Sequence, residues 1–329
     1  MNPSIRQGER GAALLTVLLL VAVIAVLAAS ALEKVRLSTR LAANGAAIDQ
    51  SRAYALAAET LATGRINALL GRDAARVTLA GGWNGTPYPL PIPEGTATAT
   101  VTDGGNCFNL NGLVTRGEPG VLVARTEAIA QFTRLMRLLD ISENVGAGIA
   151  AATADWIDSD DVPLPFGAED STYLARTPAY RTGNGLMADV SEFRAVVGVT
   201  PTIYATMQRW ICAQPRTAVS RINVNTLMPE QAVLFAMLLP DTLSIGTARN
   251  LLLERPPQGF TSTVEFWKRP ALQGITAGPE AQAQTAVTTQ WFNLRVDVAL
   301  GGTELTQTAL IDATAQPVRL VSRQWDDPS

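Results

Sequence analysis

The 329-residue sequence contains no histidine and only two cysteines. The absence of histidine excludes serine–histidine and cysteine–histidine nucleophile pairs, acid–base catalysis by imidazole and histidine-containing zinc sites. Charge is also sparse, because only 17% of the residues are charged and the net charge is −3. Nucleic-acid binding depends on an excess of positive charge that this chain lacks. These absences argue against an enzyme and against a nucleic-acid-binding protein.

Charged side chains are missing altogether from residue 12 to residue 32. About twenty apolar residues in a helix span ~30 Å, which is the thickness of the hydrocarbon core of a bilayer. Arg6 and Arg10 precede this segment, and basic flanks stay in the cytoplasm. We therefore predict a single membrane span with the bulk of the chain outside the cytoplasm. From Leu37 to Ile66 the pattern becomes amphipathic, which predicts one long helix that continues onto a soluble domain.

The short leader before the apolar segment ends in Arg10-Gly11. A secretory signal has its small cleavage-site residue after the apolar core, whereas Gly11 stands before it. An uncleaved anchor is the alternative on these residues alone. Leader and helix together resemble the precursors of type IV pilins and pseudopilins, which a prepilin peptidase cleaves after such a glycine. The resemblance implies cleavage between Gly11 and Ala12, followed by methylation of the new N-terminus.

Strand patterns flank a central region of helical character. Prolines at 87, 89, 91 and 93 mark a connector after the long helix, and the alternation of Thr96–Thr102 predicts a strand. Three further strands, predicted at Trp291–Leu300, Thr303–Ala313 and Val318–Trp325, read as a closing antiparallel meander. Between them, the helices are predicted at Thr126–Leu139, Val145–Asp158, Val190–Val197, Pro201–Trp210, Pro229–Leu239 and Ile245–Glu254.

This order of elements predicts an α+β protein with a pilin-like fold, in which the long N-terminal helix packs on an antiparallel sheet. A large all-α domain is inserted into this fold. The predicted division is a leader at 1–11, the transmembrane part of the helix at 12–33, the first part of the pilin-like domain at 34–120, the inserted helical domain at 121–285 and the C-terminal strands at 286–329.

Six soluble segments, in this order behind the leader, resemble the K-type minor pseudopilin of the type II secretion system, the general secretion pathway protein K family. Together with the leader, the resemblance covers nearly the whole chain. The six segments are Asn106–Leu113, Ala154–Asp161, Gly167–Asp170 with Tyr173-Leu174, Pro178–Arg181, Asp189–Arg194 and Ile222–Thr226. The fifth residue after the predicted cut is Thr16, where most pilins carry a glutamate that needs a charged partner in lipid. The K type also lacks this glutamate.

The resemblance implies a protein that performs no reaction. It would cap the tip of the periplasmic pseudopilus and assist export of folded proteins across the outer membrane. Its implied partners are the I-type and J-type minor pseudopilins, then the H type, and the major pseudopilin. Its implied location is the bacterial inner membrane, crossed once, with the bulk of the chain in the periplasm.

An acidic run lies between Arg137 and Arg176, where no basic residue occurs. Crowded carboxylates repel one another unless water or a cation screens them, and Ca²⁺ takes six to eight oxygen ligands. The resemblance to calcium-binding K-type pseudopilins assigns this role to Asp158, Asp160, Asp161, Glu169 and Asp170. Asp155 is instead expected to cap a helix turn or to face the solvent. The alternative is a solvated acidic loop without metal.

Two cysteines in a chain outside the cytoplasm predict either one disulfide, between Cys107 and Cys212, or two buried thiols. Four asparagines are expected to form turns and caps, because Asn side chains bond to nearby backbone. They are Asn109, Asn111, Asn223 and Asn225.

A second resemblance suggests an alternative function. Ile222–Thr226, Ser244–Ala248 and the Arg255-Pro256 segment resemble a helix-hairpin-helix, which would make the chain a DNA-binding or DNA-uptake pilin-like protein. Phosphate binding needs basic residues, yet Arg249 is the only one between Ile222 and Glu254. A protein contact is therefore favoured, and no nucleic-acid partner is expected. A membrane-anchored hydrolase using Asp158 and Glu169 is a third hypothesis, for which the sequence supplies no geometry.

Overall fold

In a computed structural model, which describes residues 8–240 and 242–326, the chain begins with one long helix, α1 (Gly8–Arg72). Its side chains are exposed from residue 11 to residue 46, and the first buried position is Ser51. Buried residues then recur every three or four positions, which places them on one face. The predicted single helix is confirmed, and its C-terminal part packs on the sheet. Residues 1–7 of the predicted leader, including Arg6, lie outside the described residues.

A five-stranded antiparallel sheet faces the packed part of α1, in the order β1-β2-β9-β10-β11. Leu294, Val296 and Val298 alternate along one strand and belong to the core shared with Ala58 and Ile66 of α1. The predicted closing meander is confirmed. The strands are β1 (Tyr88–Leu90), β2 (Gly95–Asp103), β9 (Trp291–Leu300), β10 (Thr303–Asp312) and β11 (Arg319–Asp326).

Strand β1 lies inside the proline-rich connector, where the sequence predicted no strand. Pro89 is tolerated because β1 forms an edge of the sheet, where an N–H donor is dispensable. The strand pairs Tyr88 with Ala99 and Leu90 with Ala97. The connector therefore extends the sheet by one short strand.

A buried charged cluster fastens α1 to the last two strands. Glu59 lies on the packed face of the helix and is 9% exposed. Its carboxylate accepts hydrogen bonds from Arg323 Nε at 2.8 Å and Nη2 at 2.7 Å, and from Gln307 Nε2. Because each partner comes from a different strand, the cluster fixes the helix against both β10 and β11.

The rest of the chain is mainly helical and has its own apolar core, which includes Phe132, Tyr173, Phe193 and Phe235. Three short two-stranded ladders join it: β3 with β6, β4 with β5 and β7 with β8. Its elements are β3 (Phe108–Asn109), β4 (Val114–Arg116), β5 (Leu122–Ala124), α2 (Thr126–Leu138), α3 (Glu143–Ile157), α4 (Asp170–Leu174), α5 (Pro201–Met207), β6 (Ile211–Cys212), β7 (Ile222–Asn223), α6 (Ala232–Ala236), α7 (Ile245–Leu253), α8 (Thr263–Trp267), α9 (Pro279–Gln284) and β8 (Thr285–Ala286).

Several helical predictions differ in detail from the structure. The segment after Val121 is strand β5 and not helix, because Gly120, at φ 86°, closes a turn that returns the chain onto β4. Val190–Ala195 and Pro229–Gln231 form 3-10 turns. Val190–Ala195 ends two residues before the predicted end of its helix. Pro229–Gln231 leads directly into α6 (Ala232–Ala236), so the helix predicted at Pro229–Leu239 is largely present as a 3-10 turn followed by an α-helix.

Candidate cation site

Helix α3 delivers carboxylates to one end of the helical core. Asp158 caps its C-terminus and is 3% exposed, and Glu169, directly before α4, is also 3% exposed. Asp160 approaches the same point from the exposed loop between them. One carboxylate oxygen from each of these three residues lies within 4.8 Å of the other two. This spacing is compatible with three oxygens around one cation.

The buried oxygens of this cluster are not satisfied by the chain. Asp158 Oδ1 and both oxygens of Glu169 are buried without a hydrogen-bond partner among the described residues. A buried carboxylate without a partner is strongly unfavourable, whereas a cation supplies both charge and ligation. The donor set therefore fits a hard cation such as Ca²⁺.

The electrostatics of the cluster agree with that geometry. Burial is the main cause that raises the pKa of Glu169 to about 8, with a further contribution from the charges of Asp155 and Asp158. Burial likewise raises the pKa of Asp158 to about 7, followed by the charge of Asp160. Both shifts have the direction expected where negative charges crowd without a positive one.

Asp155 organises the loop from behind the cluster. It is fully buried in the last turn of α3, and its carboxylate accepts the N–H groups of Leu164 at 3.2 Å and Ala168 at 2.7 Å. Asp155 neither caps a helix turn nor faces the solvent, so both expectations for it are wrong, because the loop folds back over it and supplies its hydrogen-bond donors. Burial, opposed by these hydrogen bonds, raises its pKa to about 6. A Cβ at Gly167 would lie 1.9 Å from Asp155 Oδ2, so glycine is required there.

The two remaining predicted ligands lie next to the three-carboxylate cluster and not within it. Asp170 is paired with Arg181, and it accepts the N–H and hydroxyl of Thr182 at 2.9 Å. These bonds, led by the Thr182 N–H, lower the pKa of Asp170. Asp161 is exposed and lines a cavity of about 430 Å³ together with Glu169 and Asp170.

The cysteines and asparagines have structural surroundings. Cys107 and Cys212 form a disulfide bond at the β3–β6 ladder.

Asn111 is fully buried, donates to the carbonyls of Met187 and Gln214, and accepts the Met187 N–H. Asn109, Asn223 and Asn225 also donate to backbone carbonyls, but these carbonyls lie 107, 146 and 35 residues away in the chain, so the expectation of local turns and caps is wrong for these bonds. Asn223 also accepts one local bond, from the Asn225 N–H at 2.9 Å.

The hairpin segment offers little to a phosphate. Arg255 Nη1 donates to the carbonyls of Val224 and Leu227 at 3.0 and 2.8 Å, so this charge is engaged inside the fold. Ser244 caps α7 by accepting the Thr247 N–H, and α7 packs on α6. The hairpin packs within the helical core, and nothing in it supports the DNA-binding alternative.

A long N-terminal helix, apolar enough to cross a membrane at its start and packed farther along on an antiparallel sheet, defines a pilin-type protein. Residues 106–216 match the first-domain model of type II secretion system protein K, and residues 222–290 match a second model of the same protein. The type II secretion system protein K of Klebsiella pneumoniae is 35% identical over 321 residues, 96% of each chain. That of Pseudomonas aeruginosa is 32% identical and covers 90% of this chain and 86% of its own.

A solved structure agrees with these sequences. A chain in the crystal structure of the GspK-GspI-GspJ complex from enterotoxigenic Escherichia coli superposes with a TM-score of 0.74 and 30% identity, over 85% of this chain and 96% of that chain. The chain belongs to the type II secretion system protein K family. It is therefore a minor pseudopilin, and the predicted fold class is confirmed.

Proposed function

We propose that this chain caps the tip of the periplasmic pseudopilus and assists export of folded proteins without catalysing a reaction. The observation that carries this proposal is its likeness to a chain crystallised with GspI and GspJ. By that likeness its partners are the I-type and J-type minor pseudopilins, with the H type and the major pseudopilin below them.

Thr16 supports a place at the tip. Its hydroxyl donates to the Ala13 carbonyl at 2.9 Å, within the same helix. A glutamate at this depth of a membrane would need a charged partner from another subunit, whereas a self-bonded threonine needs none. A subunit with no neighbour ahead of it fits this arrangement.

The membrane anchor and its processing form part of the same proposal. The exposed apolar start of α1 would cross the inner membrane once, with the folded part in the periplasm. Prepilin peptidase would cleave between Gly11 and Ala12, and the new N-terminus would be methylated. Mass spectrometry of protein extracted from membranes should show loss of residues 1–11. An intact Met1 start in cells with active peptidase would contradict this processing.

The proposal includes one calcium ion, bound by the carboxylates of Asp158, Asp160 and Glu169. Bound there, it would supply the positive charge that the buried oxygens lack, and waters or nearby backbone would complete its coordination. Asp161 and Asp170 border the adjoining cavity and would strengthen the local negative field. Calcium should raise the melting temperature of the chelated full-length protein in a concentration-dependent manner, and magnesium should do so far less.

Co-purification tests the function directly. The full chain, expressed with the I-type and J-type subunits of the same cell, should be recovered from detergent as a stoichiometric complex. A variant whose residues 12–32 are shuffled, and so remain equally apolar, provides the control for specific helix packing and should restore export poorly. Absence of a complex, together with unimpaired export by the shuffled variant, would contradict the proposal.

A further inference from the structure

The loop between Asp160 and Glu169 contains a tight turn at residues 164–167. The Gly167 N–H donates to the Leu164 carbonyl at 2.8 Å, which closes the turn. Pro165 holds the second position, and Phe166 holds the third with a φ of 67°. A proline followed by a positive φ is typical of a type II turn, whose third position favours glycine or asparagine. Phe166 therefore adopts a backbone conformation that is unfavourable for a side chain with a Cβ.

Packing inside the chain does not offset this strain. The Phe166 side chain is 85% exposed, and Val162, four residues earlier, is 72% exposed. A large apolar side chain gains hydrophobic stabilisation only from the area it removes from water. Glycine at position 166 would thus remove the backbone strain, and little buried apolar area would be lost with the phenyl ring. The phenylalanine is explained more simply by a contact outside this chain.

The turn is also fixed in place before any contact forms. The buried carboxylate of Asp155 accepts the N–H of Leu164 before the turn and that of Ala168 after it. Gly167 allows this close approach. An aromatic side chain has few rotatable bonds, so on a backbone that is already held in place it loses little conformational entropy when it binds, which is the property of an interface anchor.

The surrounding charge indicates what kind of surface would receive the ring. Asp161 is exposed beside the turn, and the cluster of Asp158, Asp160 and Glu169 keeps a net negative charge even with one divalent cation bound. The sequence has no basic residue between Arg137 and Arg176. We propose that Phe166 and Val162 form a docking knob that inserts into an apolar pocket bordered by Lys or Arg side chains on a protein partner. An anionic membrane surface would be repelled by the same carboxylates.

Stability and export together test the knob, and the export assay rests on the proposed function. In cells without their own copy, the full chain carrying Phe166→Gly should export at least fivefold less protein, whereas Phe166→Leu should retain most export. Val264→Ser, at a position 61% exposed on α8, is the control and should export normally. Purified Phe166→Gly should melt about 2 °C higher than the parent, because backbone strain is removed.

Normal export by Phe166→Gly, or a lower melting temperature, would overturn the inference. Normal export by cells lacking the chain altogether would instead contradict the proposed role in secretion, so the two failures are distinguishable.

A benzophenone amino acid at position 166 of the full chain identifies the class of partner. After irradiation of living cells, we expect an adduct with a polypeptide whose attached peptide has apolar residues beside Lys or Arg. A phospholipid adduct, an acidic peptide, or a yield no greater than from position 264 would each overturn the proposed chemistry.

Discussion

Two buried glutamates, one in the helix-and-sheet part and one in the helical part, have opposite surroundings. Both Glu59 oxygens accept hydrogen bonds from Arg323, and Gln307 adds a third. Neither Glu169 oxygen has a partner among the described residues. Since a buried carboxylate needs positive charge or donors, the first site is complete within the chain, whereas the second is where we propose a cation from solution.

The comparison separates two sources of stability. The attachment of α1 to the sheet should be insensitive to divalent ions, because its counter-charge is the Arg323 guanidinium. The end of α3 and the loop after it should depend on calcium. The two parts of one chain would therefore respond differently to the same chelator.

The largest effect is expected from a substitution at Glu59, whose hydrogen-bond partners all belong to the chain itself. Glu59→Gln removes the charge that pairs with Arg323 and should lower the free energy of unfolding by about 2–3 kcal/mol, because Arg323 keeps its partly buried position. The loss should be the same with calcium and with chelator, as measured by denaturant unfolding. Asp49→Asn, an exposed acid on the same helix, is the control and should change little. A loss that appears only in calcium would refute the comparison.

An effect of similar size is expected at the second glutamate. Calcium at about one hundred times its dissociation constant should stabilise the parent by about 2.7 kcal/mol, and Glu169→Gln should abolish most of that gain. In chelator the variant should be at least as stable as the parent, because a neutral amide replaces an unpaired carboxylate. Calorimetric melting of both proteins measures this, with the exposed Glu280→Gln as control. Equal calcium stabilisation of Glu169→Gln would exclude it as a ligand.

A dependence on pH follows from the same cluster. Burial raises the folded-state pKa of Asp158 to about 7 and that of Glu169 to about 8, so the folded chain binds more protons than the unfolded one between their unfolded and folded values. Without calcium, stability should therefore be greatest near pH 4 for these groups and should fall as pH rises to about 8. With calcium the fall should disappear. Melting scans at several pH values test the sign, and a rise with pH in chelator would contradict it.

The regular parts of the fold were accessible from sequence. Trp291–Leu300 alternates between buried and exposed residues, and its predicted bounds match β9. The amphipathic pattern from Leu37 to Ile66 predicted the long helix for the same reason, because burial on one face of a helix makes apolar residues recur with the helical period. Tyr88–Leu90 was not predictable, because the prolines around it give no strand signal and β1 exists only through its pairing with β2.

The acidic residues of the candidate site could be predicted from the sequence, but their arrangement in space could not. Of the five ligands in the acidic run that the resemblance implied, the structure brings Asp158, Asp160 and Glu169 together and leaves Asp161 and Asp170 beside them. The acidic run could not show that Asp155 turns inward, because its partners are N–H groups nine and thirteen residues later in the chain. Glycine at 167 was the available signal of that close approach.

The unpacked stretch of α1 has a mechanical consequence. From residue 34 to residue 50 the helix is about 25 Å long, and with the proposed membrane anchoring this stretch would separate the folded part from the bilayer. No proline interrupts the helix between Gly8 and Arg72, and proline is a common cause of kinks. A displacement of the helix within the lipid would reach the sheet through the packed part of α1, where the Glu59–Arg323 pair lies beside the shared apolar core.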